Sequence, residues 1–154
     1  MTDAIPARPP ERPRDRLGRP LAWGSPSEIT LEDYASLSLQ ANHELGVVHF
    51  NAGRFFQAHE AWEESWRKAE GSADEEFFKG LAQLGAAYTH YARDNAHGAR
   101  VLLERALERI GSQGSPHFGI DVGRLSPLFE AQAAVFAEAE RAGDALPTLA
   151  PPAV

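Results

Sequence analysis

Residues 55–69, FFQAHEAWEESWRKA, and residues 74–94, DEEFFKGLAQLGAAYTHYARD, decide the fold. In the first stretch Phe55, Ala58, Trp62, Trp66 and Ala69 recur at steps of three and four, the period of a helix that buries one face. Gly71 stops this helix. Asp74, Glu75 and Glu76 then put negative charge at the start of the next one, where the helix dipole favours it. From Phe77 to Tyr91 the second stretch is apolar nearly all round, the mark of a helix buried in the middle of a bundle. Gly80 and Gly85 let neighbouring helices come close to it, at some cost in helix propensity.

Working outward, the pattern predicts a helix over Leu31–Ala52, capped by Thr30 with Asp33 at the third helical position and ended by Gly53. Its apolar stripe is Leu31, Tyr34, Leu37, Ala41, Leu45 and Val48. After a tight turn at Asn95, a fourth helix over Ala96–Ile110 buries Ala99, Leu102, Leu103, Ala106 and Ile110. A loop rich in turn formers, GSQGSPHFGID, leads to a last helix that starts between Asp121 and Ser126–Pro127 and ends at Gly143. Strand-like alternation is almost absent. The expected fold is therefore all-α, a compact bundle of about five helices over residues 27–146. Residues 1–26 hold six of the eleven prolines, and five arginines against Asp3, Glu11 and Asp15. Such a segment buries too little apolar area to offset ordering entropy, so a flexible arm is expected there. The end, PTLAPPAV over residues 147–154, reads as a loose tail.

Length and composition bound the function. The chain has 154 residues, 43% hydrophobic and 24% charged, the mix of one globular domain. A formal net charge of −7 argues against nucleic acid as a partner. The absence of cysteine excludes disulfides, thiolate metal sites and cysteine nucleophiles. No apolar run approaches the roughly 18–20 residues of a membrane span, and the first residues lack the apolar core of a secretory signal. A cytoplasmic protein without a membrane partner is the expectation.

The chemistry-bearing residues gather on the second and third helices. At about 100° per residue, His59 falls in the middle of the Phe55/Trp62/Trp66 stripe and is expected to face the core. Glu63 stands one turn along, Glu60 lies further round, and Glu64 points toward solvent. On the third helix Gln83, Ala87, His90 and Asp94 form a polar line. In an antiparallel hairpin turning near Ser72, the level of His59 is matched by about residue 85. Gln83 is then the natural partner of His59 and Glu63, while His90 lies nearer His49 and Asn51. Three readings stay open: a buried hydrogen-bond network that fixes register, a pocket for a small molecule or peptide, and a metal or hydrolytic site. The string HEAWE has Glu where the zinc-protease motif needs its second His, and no glutamate is followed by a histidine three residues later as di-iron bundles require. His43, His97 and His117 read as surface residues, and Trp62 and Trp66 as core.

The Phe50-Asn51-x-Gly53 turn, the His59-Glu60-x-x-Glu63-x-x-Trp66 helix, Phe78-x-Gly80-Leu81-x-Gln83, His90 and the Asn95-x-x-Gly98-Ala99 turn occur in this order. With them the chain resembles, over roughly residues 44–125, the bacterial and archaeal family catalogued as domain of unknown function 309. The resemblance implies a compact, multi-helical all-α domain and no particular activity or cofactor. Lys79 departs from it, standing where a polar, uncharged residue is more usual.

Residues and resemblance meet on Asn51, His59, Glu60, Glu63, Gln83, His90 and Asn95, of which all but Asn95 form the candidate ligand-binding set. The leading expectation is a module that binds a small molecule or protein partner there. The first alternative is a metal-dependent hydrolase with His59, Glu63 and His90 as ligands and Glu60 as general base. The second is a purely structural or interaction protein. In that case the acidic edge of Glu60, Glu64, Glu70, Asp74, Glu75 and Glu76 meets a basic partner, or the second or third helix forms a homodimer.

Overall fold

The computed structural model describes residues 11–154, so the first ten residues of the expected arm lie outside it. The chain divides into two units, one ending at Thr30 and one running from Leu31 to Val154. In the first unit, residues 11–30 form turns rather than helix. Asp15 accepts from the backbone N–H groups of Leu17 and Arg19 and from the Arg19 guanidinium. Glu28 and Ser27 hold the backbone N–H groups of Arg16 and Arg14.

The second unit is all-α. A short 3-10 turn, Tyr34–Ser36, precedes α1 (Leu39–Asn51), α2 (Phe55–Lys68), α3 (Glu75–Ala92), α4 (Ala96–Gly111) and α5 (Val122–Ala142). Each helix packs on its neighbour in sequence, and α3 lies between α2 and α4. The nearly continuous apolar run of α3 thereby finds partners on two sides. Trp62, Phe77, Phe78, Leu81, Leu84, Tyr88, Leu103 and Phe136 are fully buried between the helices. Asn95 caps α4 by accepting from Gly98 N–H. Asp121 caps α5 by accepting from Arg124 N–H, which settles which of two starts the last helix takes. Gly143 ends α5 in the left-handed conformation, at φ 69°.

The first helix departs from expectation. It starts at Leu39, not Leu31, and its cap is Ser38, which accepts from Ala41 N–H at 3.1 Å. Residues 31–37 are held out of the helix by longer-range contacts. Asn42 donates its side-chain amide to the carbonyls of Tyr34 and Leu37, and Glu32 meets His49 at 3.0 Å. The buried face of α1 is Asn42, His43, Gly46, His49 and Phe50, about one residue round from the predicted stripe, and Val48 is 56% exposed. A face with so many polar groups enters the core because the Asn42 amide N–H, His43 and His49 find hydrogen-bond partners there, Asn42 Oδ1 being the exception.

Residues 147–154, expected as a loose tail, carry no regular secondary structure and are tied along the second unit. Tyr91 Oη accepts from Leu149 N–H at 2.6 Å, Gln132 donates to the Ala150 carbonyl at 2.8 Å, and Asn51 exchanges two hydrogen bonds with the Val154 backbone. No helix among the described residues is long and apolar enough to cross a membrane.

Candidate functional site

The candidate site is built on one close helix contact. Gly53 turns the chain from α1 into α2 with φ at 77°. Gly85 then lets the α2 backbone lie against α3: a Cβ on residue 85 would stand 2.8 Å from the His59 nitrogen and 2.9 Å from its Cα. The level of His59 is therefore that of residue 85, as the hairpin geometry requires. This approach brings the imidazole within reach of the α3 main chain. Nδ1–H of His59 donates to the Ala82 carbonyl at 2.9 Å. The ring is thus fixed with Nε2 pointing away from α3, toward the carboxylates of its own helix. Nε2 lies 3.3 Å from Glu63 Oε2, and the side chains of His59 and Glu63 are 28% and 27% exposed.

Glu60 completes the group. Among the described residues, His59, Glu60 and Glu63 form the trio whose ligand atoms all lie within 4.8 Å of one another. Arg67 takes the other Glu63 oxygen at 2.8 Å and reaches Glu64 at 2.7 Å. The electrostatics follow from this geometry. Burial opposes a charge on His59, but Glu63, the Ala82 carbonyl and the charge of Glu60 outweigh it, and the imidazole pKa is raised. The hydrogen bond to His59 dominates for Glu63, and against some burial it holds that carboxyl below its ordinary value. The site is a cluster of acceptors and negative charge opening to solvent beside Phe56, whose ring centroid is 6.4 Å from that of His59.

Other expected members lie elsewhere. His59 itself sits on the flank of α2 and not at the centre of its buried face, which is Gln57, Ala58, Ala61, Trp62, Glu64 and Ser65. Gln83 stands at the right level but turns toward α4, where its carbonyl oxygen accepts from Arg109 Nε at 3.1 Å. The partner of His59 is a main-chain carbonyl one residue away, to which side-chain chemistry gives no clue. His90 accepts from the Asn95 amide through Nδ1 at 3.0 Å and has its pKa lowered by burial, by Arg93 and by His59. Asn51 is occupied by Val154. Glu64, expected in solvent, is 7% exposed and paired with Arg67. His43, expected on the surface, is 2% exposed. Its Nε2–H donates to the Phe118 carbonyl at 2.8 Å and its Nδ1 accepts from the Trp62 indole at 3.1 Å. His49 is likewise buried, between Glu32 and Arg54. Both were hidden because α1 lacks the strong apolar stripe that would have revealed its orientation.

Comparison with known proteins agrees with the sequence motifs. The uncharacterized protein YpuF of Bacillus subtilis (strain 168) is 30% identical over 87 residues, covering 54% of this chain and 50% of the relative. The chain thus spans about half the length of the curated relative it matches. No solved structure matches it. Residues 44–102, from α1 into α4, match the family described as Domain of unknown function (DUF309).

Proposed function

We propose that this protein is a small binding module whose α2–α3 face takes a cationic ligand through His59, Glu60 and Glu63. One observation carries the reading. With Nδ1–H given to Ala82, the ring turns Nε2 to a carboxylate oxygen 3.3 Å away, with a second carboxylate close by. When the imidazole is charged its own proton bridges the pair, and a cationic ligand competes for that same place between ring and carboxylate.

The test is a thermal-shift screen of the full chain against small organic amines and divalent metal chlorides, run beside Glu63→Gln. A cationic class that raises the melting temperature of the parent and not of the variant supports the reading. A screen in which only neutral or anionic compounds act, or none, overturns it.

A further inference from the structure

Apart from the His59 cluster, we infer that the surface carrying residues 145–154 is a docking groove for an extended, proline-containing apolar segment of a partner protein, for which the chain's own tail stands in. The way the tail is held carries this. From Leu146 to Val154 it has no regular secondary structure, and side chains of the helical unit take up its main chain in order. Asp94 accepts from Leu146 N–H at 2.8 Å. Tyr91 Oη donates to the Pro147 carbonyl at 3.1 Å and accepts from Leu149 N–H at 2.6 Å. Gln132 donates to the Ala150 carbonyl at 2.8 Å, and Arg124 to that of Ala153 at 3.1 Å. Asn51 holds both the N–H and the main-chain oxygen of Val154, at 2.8 and 3.0 Å.

Each of these bonds joins a side chain of the groove to the main chain of the tail, so they read an extended backbone and not a sequence. Peptide-recognition grooves work in this way: main-chain bonds hold the segment, and apolar seats select its side chains. Here the seats take Leu146, Leu149 and Val154, which pack against the core. No residue from 145 to 154 is fully buried, as befits a segment laid on a finished surface. Pro147, Pro151 and Pro152 favour the extended polyproline conformation, which lowers the entropy cost of docking. Tyr91, which the tail crosses, stacks on Phe136 with ring centroids 5.6 Å apart, an aromatic lining of the kind that receives proline-containing ligands. Gly143 ends α5 just before the segment, so release of the tail unwinds no helix.

A tethered tail is a strong competitor, with an effective concentration on the order of millimolar for a short linker. A partner segment prevails only through a contact that the tail does not make. The groove offers one. Beside Pro147 lies an open hollow of about 380 Å³, lined on the α5 side by Ala134, Val135, Glu138 and Ala139. The tail borders it only with Asp144, Ala145 and Pro147. A segment with a large apolar side chain at the level of Ala145, followed by the aliphatic and proline pattern of the tail, fills it and keeps every main-chain bond.

The experiment is calorimetric titration of the full chain with two acetylated peptides, one copying residues 144–154 and one carrying Ala145→Phe. The parent is compared with Leu149→Asp, in which a charge on the tail expels it from its apolar seat. Both peptides should bind Leu149→Asp at least about 10-fold more tightly than the parent, because the tethered competitor is gone. The Ala145→Phe peptide should bind about 10-fold more tightly than the plain one, through the apolar area it buries in the hollow. Adding Tyr91→Phe and Asn51→Ala to Leu149→Asp should weaken binding at least about 10-fold, since several main-chain hydrogen bonds go together. Circular dichroism checks that the variants are folded. No binding to Leu149→Asp at about 1 mM peptide, equal binding to the parent, equal affinity for the two peptides, or binding that survives the groove substitutions overturns the inference. If Leu149→Asp does not fold, the parent decides. Excess Ala145→Phe peptide should then move the amide NMR signals of Leu149 and Val154 to unbound positions, and signals that stay in place overturn the inference. A parent dimer that Leu149→Asp abolishes, seen by light scattering, makes a second copy the occupant and overturns the partner assignment.

Discussion

His43 and His59 are both anchored by giving one ring N–H to the backbone carbonyl of a distant residue, Phe118 for one and Ala82 for the other. They differ at the second nitrogen. His43 receives a proton donor, the Trp62 indole, and is sealed at 2% exposure among Phe78 and Phe118. His59 faces an acid and keeps more than a quarter of its surface open. The first imidazole completes its own hydrogen bonding and serves the core. The second shares a proton with the Glu63 carboxylate, as its raised pKa reflects. Burial by itself thus does not separate a structural histidine from a candidate ligand; the character of the second partner does.

The strongest way to break this contrast is to delete each ring. His43→Ala leaves a cavity and strands the Trp62 N–H and the Phe118 carbonyl, so urea unfolding should report a loss of about 3–5 kcal/mol. His59→Ala, at a half-open position, should cost about 1 kcal/mol. Equal losses would remove the distinction. Next in size is the glycine that admits the His59 region. Gly85→Ala drives a methyl against α2 backbone atoms that cannot swing aside, and should lower stability by about 1–3 kcal/mol while moving His59 off Ala82. Imidazole NMR of the variant would register that displacement.

Acidity sharpens the comparison further. Burial keeps the His43 pKa below that of a free imidazole, a shift the Phe118 carbonyl and Glu44 only partly offset. The unfolded chain therefore takes up this proton first, and stability falls as pH drops below about 6.5 toward the native pKa of His43. His59 acts in the opposite sense. Its raised pKa adds stability that is complete below about 6.5 and lost as pH rises through the native value. In metal-free buffer, acidification should therefore destabilise His59→Ala more steeply than the parent, as judged from urea midpoints. A parallel response in both proteins would contradict the opposed shifts. The smallest effect is expected for Arg67→Ala. Arg67 is 60% exposed, so its loss should change stability by no more than about 1 kcal/mol.

What could be read from the residues alone follows the strength of their patterns. The ends of α2, α3 and α4 were legible because glycines, acidic first turns and the Asn95 cap agree with the apolar period there. The register of α2 on α3 was legible too, since helix rise and turn position place His59 opposite residue 85. The orientation of α1 was not. Its inward face holds Asn42, His43 and His49, and only hydrogen bonds to residues as far away as Phe118 and Glu32 make that face compatible with a core. Gln83 misled for a related reason. An amide side chain at the right height invites pairing, whereas the acceptor that His59 uses belongs to the main chain and has no signature in the sequence.

The closeness of α2 and α3 at Gly85 bears on how this cluster could be transplanted. A synthetic peptide copying residues 55–68 would reproduce the spacing of His59, Glu60 and Glu63 but would lack the carbonyl that holds the ring. Its imidazole would sample many rotamers and both tautomers. The smallest portable unit is accordingly the α2–α3 hairpin with its glycine, and grafting the motif onto a lone helix would carry over the residue types without their arrangement.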